Sequence, residues 1–193
     1  MKILALAMLA GIALPGVAQA QSASDTATGQ VTVGGNVARL CILGTPSSAN
    51  IDLGQMAATS GTRVGKLATI GTQSVTLPAS FCNFAGSALS IDATALVSSD
   101  ASAVQPGFAK AVNFTATAST WAATPSVVTT AASASGATPT AHSTGATQPL
   151  PKQTDLTVAL SGFTVPSDLL LTAGSYSGVV VVTLGPAASG GSL

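Results

Sequence analysis

From residue 29 onward apolar and polar positions alternate with period two, and Gly and Pro repeatedly interrupt the alternation. Side chains on a strand point to opposite faces in turn, so this pattern predicts half-buried strands, and no stretch shows the 3.6-residue period of a helix. The run GQVTVGGNVARLC (29–41) predicts a first strand through Val31, Val33 and Val37, with Gly34 and Gly35 marking a bulge or a change of sheet. Pro46-Ser47-Ser48 then turns the chain into the short strand fragment NIDLGQ (50–55), and 56–66 reads as loop. The run SVTLPASFCN (74–83) sets Val75, Leu77, Ala79 and Phe81 on one face, which puts Cys82 on the other parity, at the strand's end or outer face. Pro78 has no N–H to give a ladder, so it fits that run only at an edge or a bulge.

Further strands are predicted over 88–97 through Leu89, Ile91 and Ala93, over 110–118 through Val112 and Phe114, and over 154–165 through Leu156, Val158 and Leu160. Between the first two, 100–107 is a loop that turns at Pro106-Gly107. The stretch 120–151 is mostly Ala, Ser, Thr and Pro, and it reads as one weak hairpin followed by an exposed loop. The last run, GSYSGVVVVTL (174–184), is apolar on both faces, as expected of a strand buried between two layers. About seven strands result, so the expected fold is all-β, an immunoglobulin-like β-sandwich over 29–186, with a tail at 187–193.

Cys41 and Cys82 are the two cysteines, and each closes an alternating run, as residues on neighbouring strands would if one disulfide joined them. The compartment agrees. Residues 1–20 combine Lys2, an apolar stretch and the small-residue pattern Ala18-Gln19-Ala20, which predicts a signal peptide cut between Ala20 and Gln21. That segment is too short, and too broken by Gly11, Pro15 and Gly16, for a bilayer span, and no later stretch is long enough for one. The expected mature chain is therefore exported, where disulfides persist. It begins with a small, polar arm, QSASDTAT (21–28).

Charge is scarce: 6% of residues, six of them Asp, with no Glu and one His. There is no basic patch for nucleic acid, and a surface so poor in charge favours association. Chemistry is equally thinly supplied. His142 lies in the Ser/Thr/Ala stretch with no acidic residue near it in sequence, so neither a triad nor a His-ligated metal is expected. In Gly174-Ser175-Tyr176-Ser177-Gly178, tyrosine holds the position that a nucleophile elbow gives to serine. The Asp residues are scattered, the cysteines do not form a C-x-x-C pair, and Gly34-Gly35 lacks the lysine and helix of a phosphate loop. Asn113-Phe114-Thr115 matches a glycosylation acceptor and is read as strand. No catalytic, cofactor or metal site is expected.

A Gly-x-Val-x-Val run leading to Cys41, then Ile51-Asp52-Leu53-Gly54-Gln55, and Cys82 closing a strand with Val75, Leu77 and Ala79 before it together resemble the N-terminal half of chaperone–usher pilin subunits. The ending, Ala173-Gly174-Ser175-Tyr176-Ser177-Gly178 followed by the valine run, is similar to the final strand of those subunits and of spore coat protein U-like secreted pilins. The likeness covers about the first and last thirds of the mature chain.

The resemblance implies a sandwich that lacks one strand, whose hydrophobic groove is filled by the arm of the next subunit. It implies that Val31, Val33, Val37, Tyr176, Val180, Val182 and Leu184 flank that groove, that the arm is the donor, and that a periplasmic chaperone and an outer-membrane usher handle the subunit. The arm holds no large apolar residue and the chain runs on past Pro186, so either the donor reaches into Val31 and Val33 or the tail completes the fold. The leading expectation is a structural subunit of a surface fimbria with a role in adhesion. The alternative is a monomeric secreted immunoglobulin-like binding module whose 120–151 loop contacts a glycan or another surface ligand, with Trp121 stacking on the sugar or else buried in the core.

Overall fold

The computed structural model describes residues 25–187 except Ala27; the expected signal segment, its cleavage position and most of the arm and tail lie outside those residues. The chain divides into two units, one ending at Val37 and one beginning at Ala38. In the first, the described residues carry no strand, and Val31, Val33 and Val37 are 85%, 91% and 86% exposed.

The second unit is an antiparallel β fold with a small parallel pair. Its long strands are β2 (Gln73–Cys82), β3 (Ser87–Ser98), β5 (Ala111–Ser119), β8 (Lys152–Thr164) and β10 (Tyr176–Pro186). Shorter ones are β1 (Cys41–Ile42), β4 (Phe108–Ala109), β6 (Ser126–Thr129), β7 (Ala141–Gln148) and β9 (Leu170–Leu171). One sheet runs β1-β2-β8-β5-β3-β10, with β6 added to β5 and β7 to β3, while β4 and β9 pair in parallel. The sheet folds over at β5. Ala111 and Val112 pair with β3, whereas residues from Asn113 onward pair with β8 across a bulge. The side chain of Asn113 fixes that corner, accepting from Ala132 N–H at 2.7 Å and donating to Ala132 O at 3.1 Å. An acceptor asparagine so engaged is structural.

Between the two halves lies the core. Leu89, Ile91 and Ala93 of β3 meet Leu77 of β2, Leu156 and Val158 of β8, and Phe114 and Ala116 of β5, all under 8% exposed. The alternation predicted these faces because each strand has one wet and one dry side. Trp121 is 1% exposed and belongs to the same cluster. Lys110 is buried too, but its ammonium donates to the carbonyls of Asp100 and Ser102, which satisfies the charge and pins the 100–102 loop.

Four expectations are corrected. The stretch 29–40 is not a strand: Gly34 and Gly35 interrupt it, and the ladder with β2 begins only at Cys41. Cys82 is not on the outer face. The β2–β8 register shifts between Leu77 and Ser80, so Pro78 and Ala79 (φ 52°) form a bulge that reverses the parity of the rest of β2. Cys82 is therefore buried, paired in register with Cys41 at a Cα separation of 4.2 Å and joined to it by the disulfide. The stretch 120–151 supplies β6 and β7 where a hairpin and exposed loop were expected, and His142 lies on β7. Lastly, β10 is not covered on both faces: Val180, Val182 and Leu184 pack inward while Val179 and Val181 are 59% and 50% exposed.

The bulge draws its neighbours close. Asp155 of β8 accepts the Ala79 N–H at 2.8 Å, and Gly44 passes so near that an added Cβ would sit 1.8 Å from Pro78 O. Gly44→Ala is expected to lower the unfolding free energy by about 1–3 kcal/mol, whereas Gly71→Ala, which meets no atom within 4 Å, should change little; urea melts compare them. Removing the disulfide as the Cys41→Ala/Cys82→Ala pair frees a loop of 41 residues' separation in the unfolded chain. That change should cost about 4 kcal/mol in the same assay.

Candidate functional site

At one end of the folded sheet, β10 pairs among the described residues with β3 along one side only. Its other side faces a groove of about 420 Å³. Leu77, Phe114 and Val158, which are nearly inaccessible, form its base, with Val75 and Leu160 beside them. Tyr176, Val180 and Val182 make one wall, and Pro46, Ile51 and Leu53 make the other. Beyond Ile51 and Tyr176 the groove continues into a more polar depression of about 590 Å³ that reaches Asp52, Gln55 and Ser175.

Among the described residues, no strand pairs with either wall on its groove side. On the 46–53 side the regular pairing stops at Ile42; after it Ser47 N–H reaches Thr76 O at 2.7 Å, and no described strand covers 49–53. Unpaired N–H and C=O groups beside an apolar floor are a template for an additional strand. Gly178 explains how β10 is held as the second wall: it lies at the β10 bulge, where a Cβ would meet Thr94 O at 2.8 Å and Ala95 O at 2.9 Å. The close approach fixes the strand against β3.

Of the predicted groove residues, Tyr176, Val180 and Val182 line it. Leu184 packs into the core below it, and Val31, Val33 and Val37 stand exposed in the arm unit. The wall opposite β10 is instead built by 46–53, which follows β1 and is still bonded to β2 at Ser47, whose N–H donates to Thr76 O and whose Oγ accepts the Thr76 N–H. Sequence reasoning found Ile51 and Leu53 as a strand fragment without a role; nothing in their pattern signals that they border an opening.

Tyr176 closes the junction of the two depressions. Its hydroxyl donates to Thr172 O at 2.8 Å, and burial pushes its phenol pKa up. The neighbouring segment 61–68 is tied to the 3₁₀ turn Pro166–Asp168 by Arg63 and Lys66, which reach the Asp168 carboxylate at 2.7 and 2.9 Å.

On the far face of β3, Asp92 and His142 are register partners. The His142 Nδ1 lies 2.7 Å from Asp92 Oδ1, and its Nε2 lies 3.1 Å from Thr144 Oγ1. The histidine that has no acidic neighbour in sequence thus has one across the ladder, on an exposed face that lines neither depression. No group of three or more His, Cys, Asp or Glu able to hold a metal occurs among the described residues. No described helix is long and apolar enough to cross a membrane.

No family model, no curated protein and no solved structure matches this chain.

The Asp168 carboxyl is held at about 2, below its ordinary 3.8, first by the hydrogen bond from Arg63 and then by that from Lys66. A depressed folded-state pKa means that this tether stabilises fully above about pH 4 and is lost as pH falls toward 2. Thermal melts of the unaltered chain and Asp168→Asn should therefore differ at pH 6 and draw together as pH falls through about 2.

Proposed function

We propose that this chain is a structural subunit of a surface fimbria or pilus-like fibre, assembled by strand complementation between copies and contributing to surface adhesion. The observation that carries the reading is the groove beside β10: an apolar floor between two walls with which no described strand pairs on the groove side. The occupant is argued from the same chain. Val31, Val33 and Val37 are exposed and fall on one face of an extended segment, with Gly35 between them. The stretch 31–37 and the β10 wall 176–182 each span seven residues, about 23 Å when extended. Added as a strand, the valines would enter the groove while the backbone bonds to its edges.

On this reading the domain is a pilin-type, immunoglobulin-like sandwich short of one strand, and the donor reaches beyond 21–28 into the valines. The resemblance of both ends of the chain to chaperone–usher pilins supports it and adds, as partners, a periplasmic chaperone and an outer-membrane usher. The site of action is then the cell surface after export. Trp121 is buried and so is not available to stack on a sugar, and 120–151 contributes strands.

Size-exclusion chromatography of the chain from Gln21, with and without residues 21–33, tests the proposal. The intact form should give multimers and the truncated form a less stable monomer. A peptide covering residues 28–37, at about 100 times its Kd, should raise the melting temperature of the truncated form by about 5–10 °C. Equal monomers of equal stability would refute the reading.

A further inference from the structure

Residues 38–40 precede β1 and belong to no ladder, yet they are held. Asn83, directly after Cys82, does it with both ends of its side chain. Its Oδ1 accepts the Leu40 N–H at 2.8 Å, its Nδ2 donates to Ala38 O at 2.8 Å, and its own backbone N–H donates to Leu40 O at 3.0 Å. A carboxamide carries the donor and acceptor of a peptide group, so Asn83 takes the place of the strand residue that would otherwise continue the pairing. Between the two bonded residues, the Arg39 guanidinium lies 5.0 Å above the Phe84 ring. Three consecutive residues are thereby locked to the end of β2, next to the disulfide.

A few residues earlier the chain is built in the opposite way. Gly34 and Gly35 are adjacent, and a Cβ on either would meet no atom within 4 Å, so neither glycine is required by crowding. Two adjacent glycines make the backbone there freer than anywhere else in 28–41.

We infer that Asn83 is a positioning residue for assembly: it makes 38–40 a rigid stub that sets the direction in which the arm departs, and so the angle between one copy and the next. Gly34-Gly35 leaves the arm free to bend only until it is seated. The inference rests on the strand-complementation reading, because only an arm seated in another copy converts a departure direction into an angle between copies.

Two variants test it, Asn83→Ala, which removes both side-chain bonds, and Asn83→Asp, which keeps the acceptor for Leu40 N–H and loses the donor to Ala38 O. In the isolated chain, ¹⁵N relaxation order parameters at 38–40 should fall from about 0.85 to below about 0.6 in Asn83→Ala, with Asn83→Asp between. In negative-stain images of multimers, the preferred angle between neighbours should be lost in Asn83→Ala and broadened in Asn83→Asp, while the yield of multimers is unchanged. Order parameters that stay high would overturn the inference, as would an unaltered angle distribution despite a loosened stub. Absence of multimers from the unaltered chain is a separate failure: it removes the assembly reading, and this inference with it.

Discussion

The constraint on which the described fold turns is the outer edge of β10, which no described strand pairs. Every non-proline residue carries a donor and an acceptor that must be paired or solvated, and proteins ordinarily blunt exposed sheet edges with charge, proline or a covering loop. β10 does little of this: no charged residue occurs between Tyr176 and Leu184, and its inward valines stand over an apolar groove. Water can pair the backbone but gains nothing from the valines. A strand of alternating small apolar residues satisfies both requirements at once.

The opening depends on the bulge in β2. Pro78 cannot donate to the ladder, and the Pro78-Ala79 step that accommodates it reverses the parity of every later residue on the strand. The reversal turns Cys82 inward to meet Cys41, and the disulfide then anchors a β1 of only two residues. Gly44, seated against Pro78, lets the chain pass close beside the bulge, and Ser47 is bonded to Thr76 beyond it. From there 46–53 becomes the second wall and not a paired strand.

The sequence made the strands legible wherever one face is dry and the other wet, as at Leu89, Ile91 and Ala93 or Leu156 and Val158. It misled where a local feature resets the count. A one-residue bulge inverts the assignments beyond it, so the parity of Cys82 could not be read without knowing that Pro78 sits at one. β7 was hidden because Ala, Ser, Thr and Gly pack against a sheet without an apolar signature: Gly145 comes so close that a Cβ there would lie 3.2 Å from Leu89 O. The His142–Asp92 pair was hidden because the two residues lie 50 positions apart, and register alone unites them. The valine run of β10 marked an apolar strand correctly, but composition cannot distinguish a strand covered on both sides from one still lacking a neighbour.

The proposed use of that missing neighbour also accounts for the scarcity of charge. A donor arm and an acceptor groove are different surfaces, so their contact is heterologous, and each added copy brings a fresh groove; such contacts generate open filaments unless a rotation closes them into a ring. A monomer in free solution needs net charge to resist association, whereas a subunit whose apolar edge and arm are consumed in a filament has less surface to defend. With six acidic side chains in 193 residues, and Asp168 tied up by Arg63 and Lys66, little charge is left to repel a second copy at the groove. Low charge, a β10 edge that no described strand covers and an exposed valine arm are three separate features of one sequence, and in the proposed assembly each supports the others.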